Sequence, residues 1–163
     1  MTGMESRVAS REESRGRVLV IPCSGVGKVH GLISRESAYL AVDEVAPERL
    51  DVVCLALVVR EDEDTLAEVK TYPCITIDGC GKACAQKNVE IAGGEVAAAL
   101  QVAKVLSAHR GIQPGTGSDL TEDGWVVVRE IAEEVAHEAE RACAGAPPGP
   151  GGAGRWRTRR TGR

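Results

Sequence analysis

Six cysteines lie in the 163 residues, and four of them fall between Cys54 and Cys84. The most specific arrangement is Ile77-Asp78-Gly79-Cys80-Gly81-Lys82-Ala83-Cys84-Ala85, where a β-branched run ends in a glycine turn. Asp-Gly at such a point predicts a strand end, with a helix beginning near Cys80. Residues four apart on a helix share a face, so Cys80 and Cys84 are expected to bring two sulfurs within reach of one ion. Two thiolates there make half of a tetrahedral site. The helix N-terminus adds partial positive charge and unpaired N–H groups beside them. Asp78 is read as a helix-capping or turn carboxylate.

The elements that must position these residues follow from pattern. Val18 to Ile21 is a short apolar run closed by Pro22, the composition of a buried strand, and Cys23 comes directly after it. Cys23 to Gly31 is a glycine-rich loop, beyond which Ala38, Ala41, Val42 and Val45 repeat at helical spacing up to Pro47. Asp51 to Val59 is a second apolar run that periodicity alone would make one strand; the expectation is strand over Asp51 to Cys54 with irregular or helical backbone soon afterwards, since an early stop lets Cys54 reach the same edge as Cys23. Pro73 to Asp78 is the third strand. Val96 to Ala103 is read as a fourth strand followed by a short helix. Gly111 to Gly117 marks a loop, and Leu120-Thr121-Glu122-Asp123 introduces the clearest helix, with an apolar stripe at Val128, Ile131, Ala132, Val135, Ala139 and Ala142. Alternating strands and helices predict a small three-layer α/β domain over 17–144, with a three- or four-stranded mainly parallel sheet and helices on both faces. A solvated, disordered arm is expected over 1–16 and a Pro/Gly/Arg-rich disordered tail over 145–163.

In open parallel sheets ligands gather outside the carboxyl ends of the strands. Cys23, Cys54, Cys80 and Cys84 are therefore expected as one sulfur cluster holding a metal ion, with zinc the first choice for such a donor set. Cys74, inside the third strand, is expected to pack as a small hydrophobe, and Cys143 to have no part in the site. His30 shares the glycine loop with Cys23; it is read as a polar loop residue and as the substitute ligand should Cys54 point away.

Composition narrows the classes. Phe is absent and aromatics make up 2% of the chain, so Val, Ile, Leu and Ala must fill the core. The net charge is -4 with no continuous basic face, which disfavours nucleic acid as a partner; no other partner is named by the sequence. No stretch approaches the roughly 20 apolar residues a membrane span needs. The first sixteen residues mix arginine and glutamate with no apolar centre, unlike a secretory signal, so a cytoplasmic, reducing setting is expected. There, cysteines serve as metal ligands or redox-active thiols rather than disulfides. Gly25-Val26-Gly27-Lys28-Val29 lacks the glycine spacing and hydroxyl of a phosphate-binding loop. Val29 stands where a phosphatase loop that began at Cys23 would carry arginine. Cys54 and Arg60 have that spacing, but on an apolar run without a phosphate cradle.

Ile21-Pro22-Cys23-Ser24-Gly25 with Gly27, the segment from Arg35 to Tyr39, Val53-Cys54-Leu55, and Ile75-Thr76-Ile77-Asp78-Gly79-Cys80 through Cys84-Ala85 together resemble the DGC-domain proteins, a family named for its Asp-Gly-Cys motif and put forward as zinc-binding. The resemblance runs from about Val18 to Ala139 and includes Asp119-Leu120-Thr121-Glu122 with Gly124-Trp125. Matching residue by residue, it implies that the chelating positions fall on Cys23, Cys54, Cys80 and Cys84. Three functions follow as expectations: a zinc-binding module; a thiol-based redox, sulfur- or selenium-handling enzyme or carrier using Cys23 or Cys80; and a four-cysteine iron–sulfur protein. No Ser-His-Asp arrangement, paired carboxylates or cofactor fingerprint assigns a reaction.

Overall fold

Alternation along two short strands divides the molecule into layers. The computed structural model describes residues 16–23 and 25–145. Strand β1 (Val18–Pro22) and strand β3 (Cys74–Asp78) are buried from end to end, because each has neighbours on both sides and helices on both faces. β1 pairs in parallel with β2 (Leu50–Val52) and with β3, and β3 pairs with β4 (Val96–Gln101), giving the order β2-β1-β3-β4. Side chains on one face of this sheet, Val18, Val20, Ile75 and Ile77, pack with α1 (Val29–Leu40), the π-helical turn Ala41–Val45 that continues it, α5 (Val102–Ala108) and α6 (Glu122–Gly145). The intervening side chains, Leu19, Ile21 and Cys74, pack on the other face with α2 (Leu55–Val59), α3 (Glu63–Thr71) and α4 (Cys84–Ile91). Two-residue periodicity thus feeds two separate aliphatic cores, and the expected three-layer α/β arrangement holds with four parallel strands.

The second strand does stop early. It ends at Val52, with the Val53 N–H still bonded to the Val20 carbonyl at 2.9 Å, and the Cys54 carbonyl then accepts from Leu57 N–H at 3.0 Å to open α2. As an edge strand β2 has only β1 to pair with, so the apolar run from Leu55 onward is free to bury one helical face, through Leu55 and Val58, instead of extending the ladder. The last helix buries Val128, Ile131, Ala132, Val135 and Ala139 along its stripe as expected. The arm and tail expected over 1–16 and 145–163 lie, apart from Gly16 and Gly145, outside the described residues. Among the described residues no helix is long and apolar enough to cross a membrane.

Candidate functional site

Chain direction decides where a crevice opens. From β1 the chain passes through α1 on one face to β2; from β3 it passes through α4 on the other face to β4. The two strands are neighbours whose connections leave in opposite directions, so the loops after them part at the carboxyl edge, the topological switch point of a doubly wound sheet. The Pro22–Ile77 register sets Cys23 beside Asp78 at that edge. β2 lies on the far side of β1, and its exit loop carries Cys54. The strand order therefore brings the loops bearing Cys54, Cys23 and Cys80 side by side.

Cys23 is held through its backbone. Its N–H donates to the Ile77 carbonyl at 2.8 Å and to Ser34 Oγ at 3.1 Å, and Ser34 in turn donates to the same carbonyl at 2.6 Å. Ser34 is fully buried on α1, so a helix side chain ties the ends of β1 and β3 together. Nothing in the sequence pattern singled it out; a serine on the apolar face of a helix is the signal that was available. The glycines of the following loop serve close backbone approach. A Cβ on Gly31 would stand 2.7 Å from the Gly25 α-carbon and 2.5 Å from its carbonyl carbon, so α1 begins pressed onto the loop. Cys23 is partly exposed.

The Asp-Gly-Cys turn differs from its expected form. Asp78 is 1% exposed, and its carboxylate accepts the Ala85 N–H at 2.7 Å and the Gln86 N–H at 3.1 Å. It is the capping carboxylate, reaching across the turn to α4. Because those two N–H groups are the ones Asp78 can satisfy, the helix starts at Cys84 and not near Cys80, so the two cysteines do not share a helix face. Cys80 sits in a turn closed by Ala83 N–H to the Cys80 carbonyl at 3.2 Å, and Ala83 reverses the chain with φ 52° and ψ 50°, a left-handed conformation that alanine adopts at a cost. The N–H groups expected to be unpaired at this helix start are partly taken by Asp78. Gly79 lacks a side chain where one would stand 3.3 Å from His30 Cβ and 3.5 Å from Gly31 N, so His30, in the first turn of α1, abuts the turn from the opposite face.

Cys54 is the residue from which α2 starts, Cys84 is the first residue of α4, and these helices pack against each other on one face of the sheet. Cys54, Cys80 and Cys84 are exposed. The sulfurs are gathered at one edge but not closed into a cage: the three ligand atoms within 4.8 Å of one another among the described residues belong to Glu134, His137 and Glu138 on α6. That trio is exposed or part-exposed, and Glu138 is engaged by Arg141 at 2.8 Å. The other two cysteines lie apart. Cys74 is buried in the second core, its thiol donating to the Tyr72 carbonyl at 3.4 Å, and burial, then the charge of Glu95, pushes it up to about 12. Cys143 is also raised by burial, and it has a role that was not expected: its thiol donates to the Gly16 carbonyl at 3.1 Å, docking the start of β1 on the end of α6.

A family model described as the DGC domain matches residues 19–135, which spans Cys23, Cys54, Cys80 and Cys84. No curated protein and no solved structure matches the chain.

Proposed function

The chain belongs to the DGC-domain family, and on that footing we propose that it is a zinc-binding module in which Cys23, Cys54, Cys80 and Cys84 hold one ion at the carboxyl edge of the sheet. The observation that supports this is the strand order: β2, β1 and β3 are adjacent, and each exit loop carries a cysteine that solvent reaches. The donor set fits a soft or borderline cation, being four thiols with no competing disulfide. Zinc bound there would cross-link the exit loops of three adjacent strands. Closing the sulfurs around an ion calls for local movement of the Cys23 loop and of the Cys80–Ala83 turn. Both are glycine-containing, and neither Cys23 nor Cys80 belongs to a core.

Elemental analysis of anaerobically purified protein, with its visible spectrum, tests the reading. We expect one zinc per chain and no visible band. Cys80→Ser and Cys84→Ser each weaken binding greatly, because a hydroxyl is a poor substitute for thiolate, while Cys74→Ala keeps its metal. Well-folded protein with no zinc affinity would overturn the proposal, and a visible absorption band would transfer the site to iron–sulfur chemistry. Zinc lost from Cys74→Ala but kept in Cys54→Ala would show the fourth ligand misassigned. A second reading, thiol chemistry at Cys23 or Cys80, draws support from the open spacing of the sulfurs. Its discriminator is a thiol that alkylates in metal-replete protein.

A further inference from the structure

Three backbone segments meet at the Cys23 loop, and one comes from far along the chain. A Cβ on Gly117, in the loop between α5 and α6, would stand 2.5 Å from the Gly27 carbonyl carbon, 2.8 Å from its oxygen and 2.9 Å from Lys28 N. Gly117 does not hold a positive φ, so conformational freedom is not what a glycine supplies there. Its function is to let one backbone lie directly on another.

Of the two loops in contact, the one carrying Gly117 is the stiffer. The Gln113 N–H donates to the Asp123 carboxylate at 3.1 Å, Thr121 Oγ1 donates to the Gln113 carbonyl, and Thr116 N–H donates to the Asp119 carbonyl at 2.8 Å. Gly115 and Leu120 form a bridge, and Gly124 packs its α-carbon under the Pro114 carbonyl. Between Gly25 and Lys28 the described residues make a long 3.4 Å bond from Lys28 N–H to the Gly25 carbonyl, and Val26 at the tip is 85% exposed. A strain at the contact is therefore released on the Gly27 side. That loop bears on the sulfur, since Cys23 Sγ lies 3.9 Å from where a Cβ on Gly25 would be.

We propose that Gly117 is a positioning residue for the cysteine site, seating the loop between α5 and α6 on Gly27 and Lys28 and so setting the backbone that aims Cys23. The proposal rests on Cys23 being a site residue and goes beyond it by making a segment outside every cysteine motif part of the site's support.

Gly117→Ala is compared with wild type, with Ser118→Ala as the control in the same loop. In metal-free protein the alkylation rate of each cysteine is followed by peptide mass: Cys23 is expected to change several-fold while Cys54, on the exit of β2, stays at its wild-type rate. In competition with a chelator, zinc affinity should fall about tenfold or more, the scale of loss seen when the supports of metal ligands are removed. A Gly117→Ala protein with wild-type Cys23 reactivity overturns the proposal. Wild type that binds no zinc overturns the metal reading instead and leaves the alkylation result to decide this one. Should Gly117→Ala fail to fold, wild type still decides, because coupling between two places is reciprocal: loading the site with zinc, or alkylating its thiols where zinc does not bind, must alter hydrogen exchange at residues 115–119. Unchanged exchange there overturns the proposal.

Discussion

Cys74 shows how burial turns a thiol from ligand to core atom. Its side chain is fully buried, and a thiolate there would lose hydration, so the proton is held up to about 12 while an unfolded thiol releases it near 8.5. The sign follows directly. Between those values the unfolded chain has lost a proton that the native chain keeps, so native stability falls as pH rises. Near neutral pH, Cys74→Ala should cost about 1 kcal/mol for truncation of a small buried side chain. With rising pH the wild type should lose up to ~4 kcal/mol by pH 12, whereas the alanine variant loses none of this contribution. Denaturant midpoints should therefore cross in the alkaline range, the variant becoming the more stable protein. Midpoints that stay parallel from pH 8 to 11 would show that the thiol is not so held. Cys23, Cys54, Cys80 and Cys84 take no place in either core, which leaves their chemistry free for a ligand.

At the scale of elements, α4 is set by a residue outside it. Its amphipathic pattern, with Ala85 and Val89 buried, is local, but its first residue is selected by Asp78 reaching across the turn. Helix start, turn and the left-handed Ala83 are therefore one unit, and its output is the relative placement of Cys80 and Cys84. Asp78→Ala should lower stability by about 2 kcal/mol, since it removes charge-assisted caps and leaves buried N–H groups short of an acceptor. It should also weaken metal binding although no proposed ligand is altered. Stability measured by denaturant and metal content by elemental analysis check the two halves separately; a loss of stability with full zinc affinity would show the cap to be structural only. The expectation of a helix from Cys80 failed for a physical reason: i, i+4 spacing is necessary for a shared helix face but not sufficient, and the two glycines Gly79 and Gly81 favour a turn where helix was expected.

For the whole molecule, the two edges of the sheet are built differently. At the amino edge Arg17 pairs with Asp51 and lies 5.2 Å from the centre of the Tyr72 ring, and Cys143 docks on Gly16. The carboxyl edge instead holds three exposed cysteines and a fourth partly exposed. Because the cores close without those four, removing a metal should loosen the edge and leave the fold. Chelation is expected to lower the melting temperature without unfolding the protein at room temperature. Stability should rise by about 1.4 kcal/mol for each tenfold increase of free zinc above the dissociation constant, a dependence absent from Cys80→Ser. Complete unfolding on chelation would show that the metal, not the aliphatic packing, maintains the domain.

Much of this was legible in the sequence because it depends on local pattern. The apolar run Val18–Ile21 and the β-branched run Ile75–Ile77, the punctuation by Pro22 and Gly79, and the stripe of the last helix predicted strands, layers and the edge where cysteines collect, since such patterns are properties of neighbours in the chain. The early end of β2 was foreseen only as one of two outcomes, and it is the lack of a second strand neighbour that allows it. Other features were decided by contacts between distant residues: Ser34 bridging Cys23 and Ile77, Asp78 setting the start of α4, Gly79 making room for His30, and Gly117 lying on Gly27. Residue type at one position does not encode which backbone will come to rest against it. Only the packed sheet and its crossing helices determine that, and with it the aim of each sulfur.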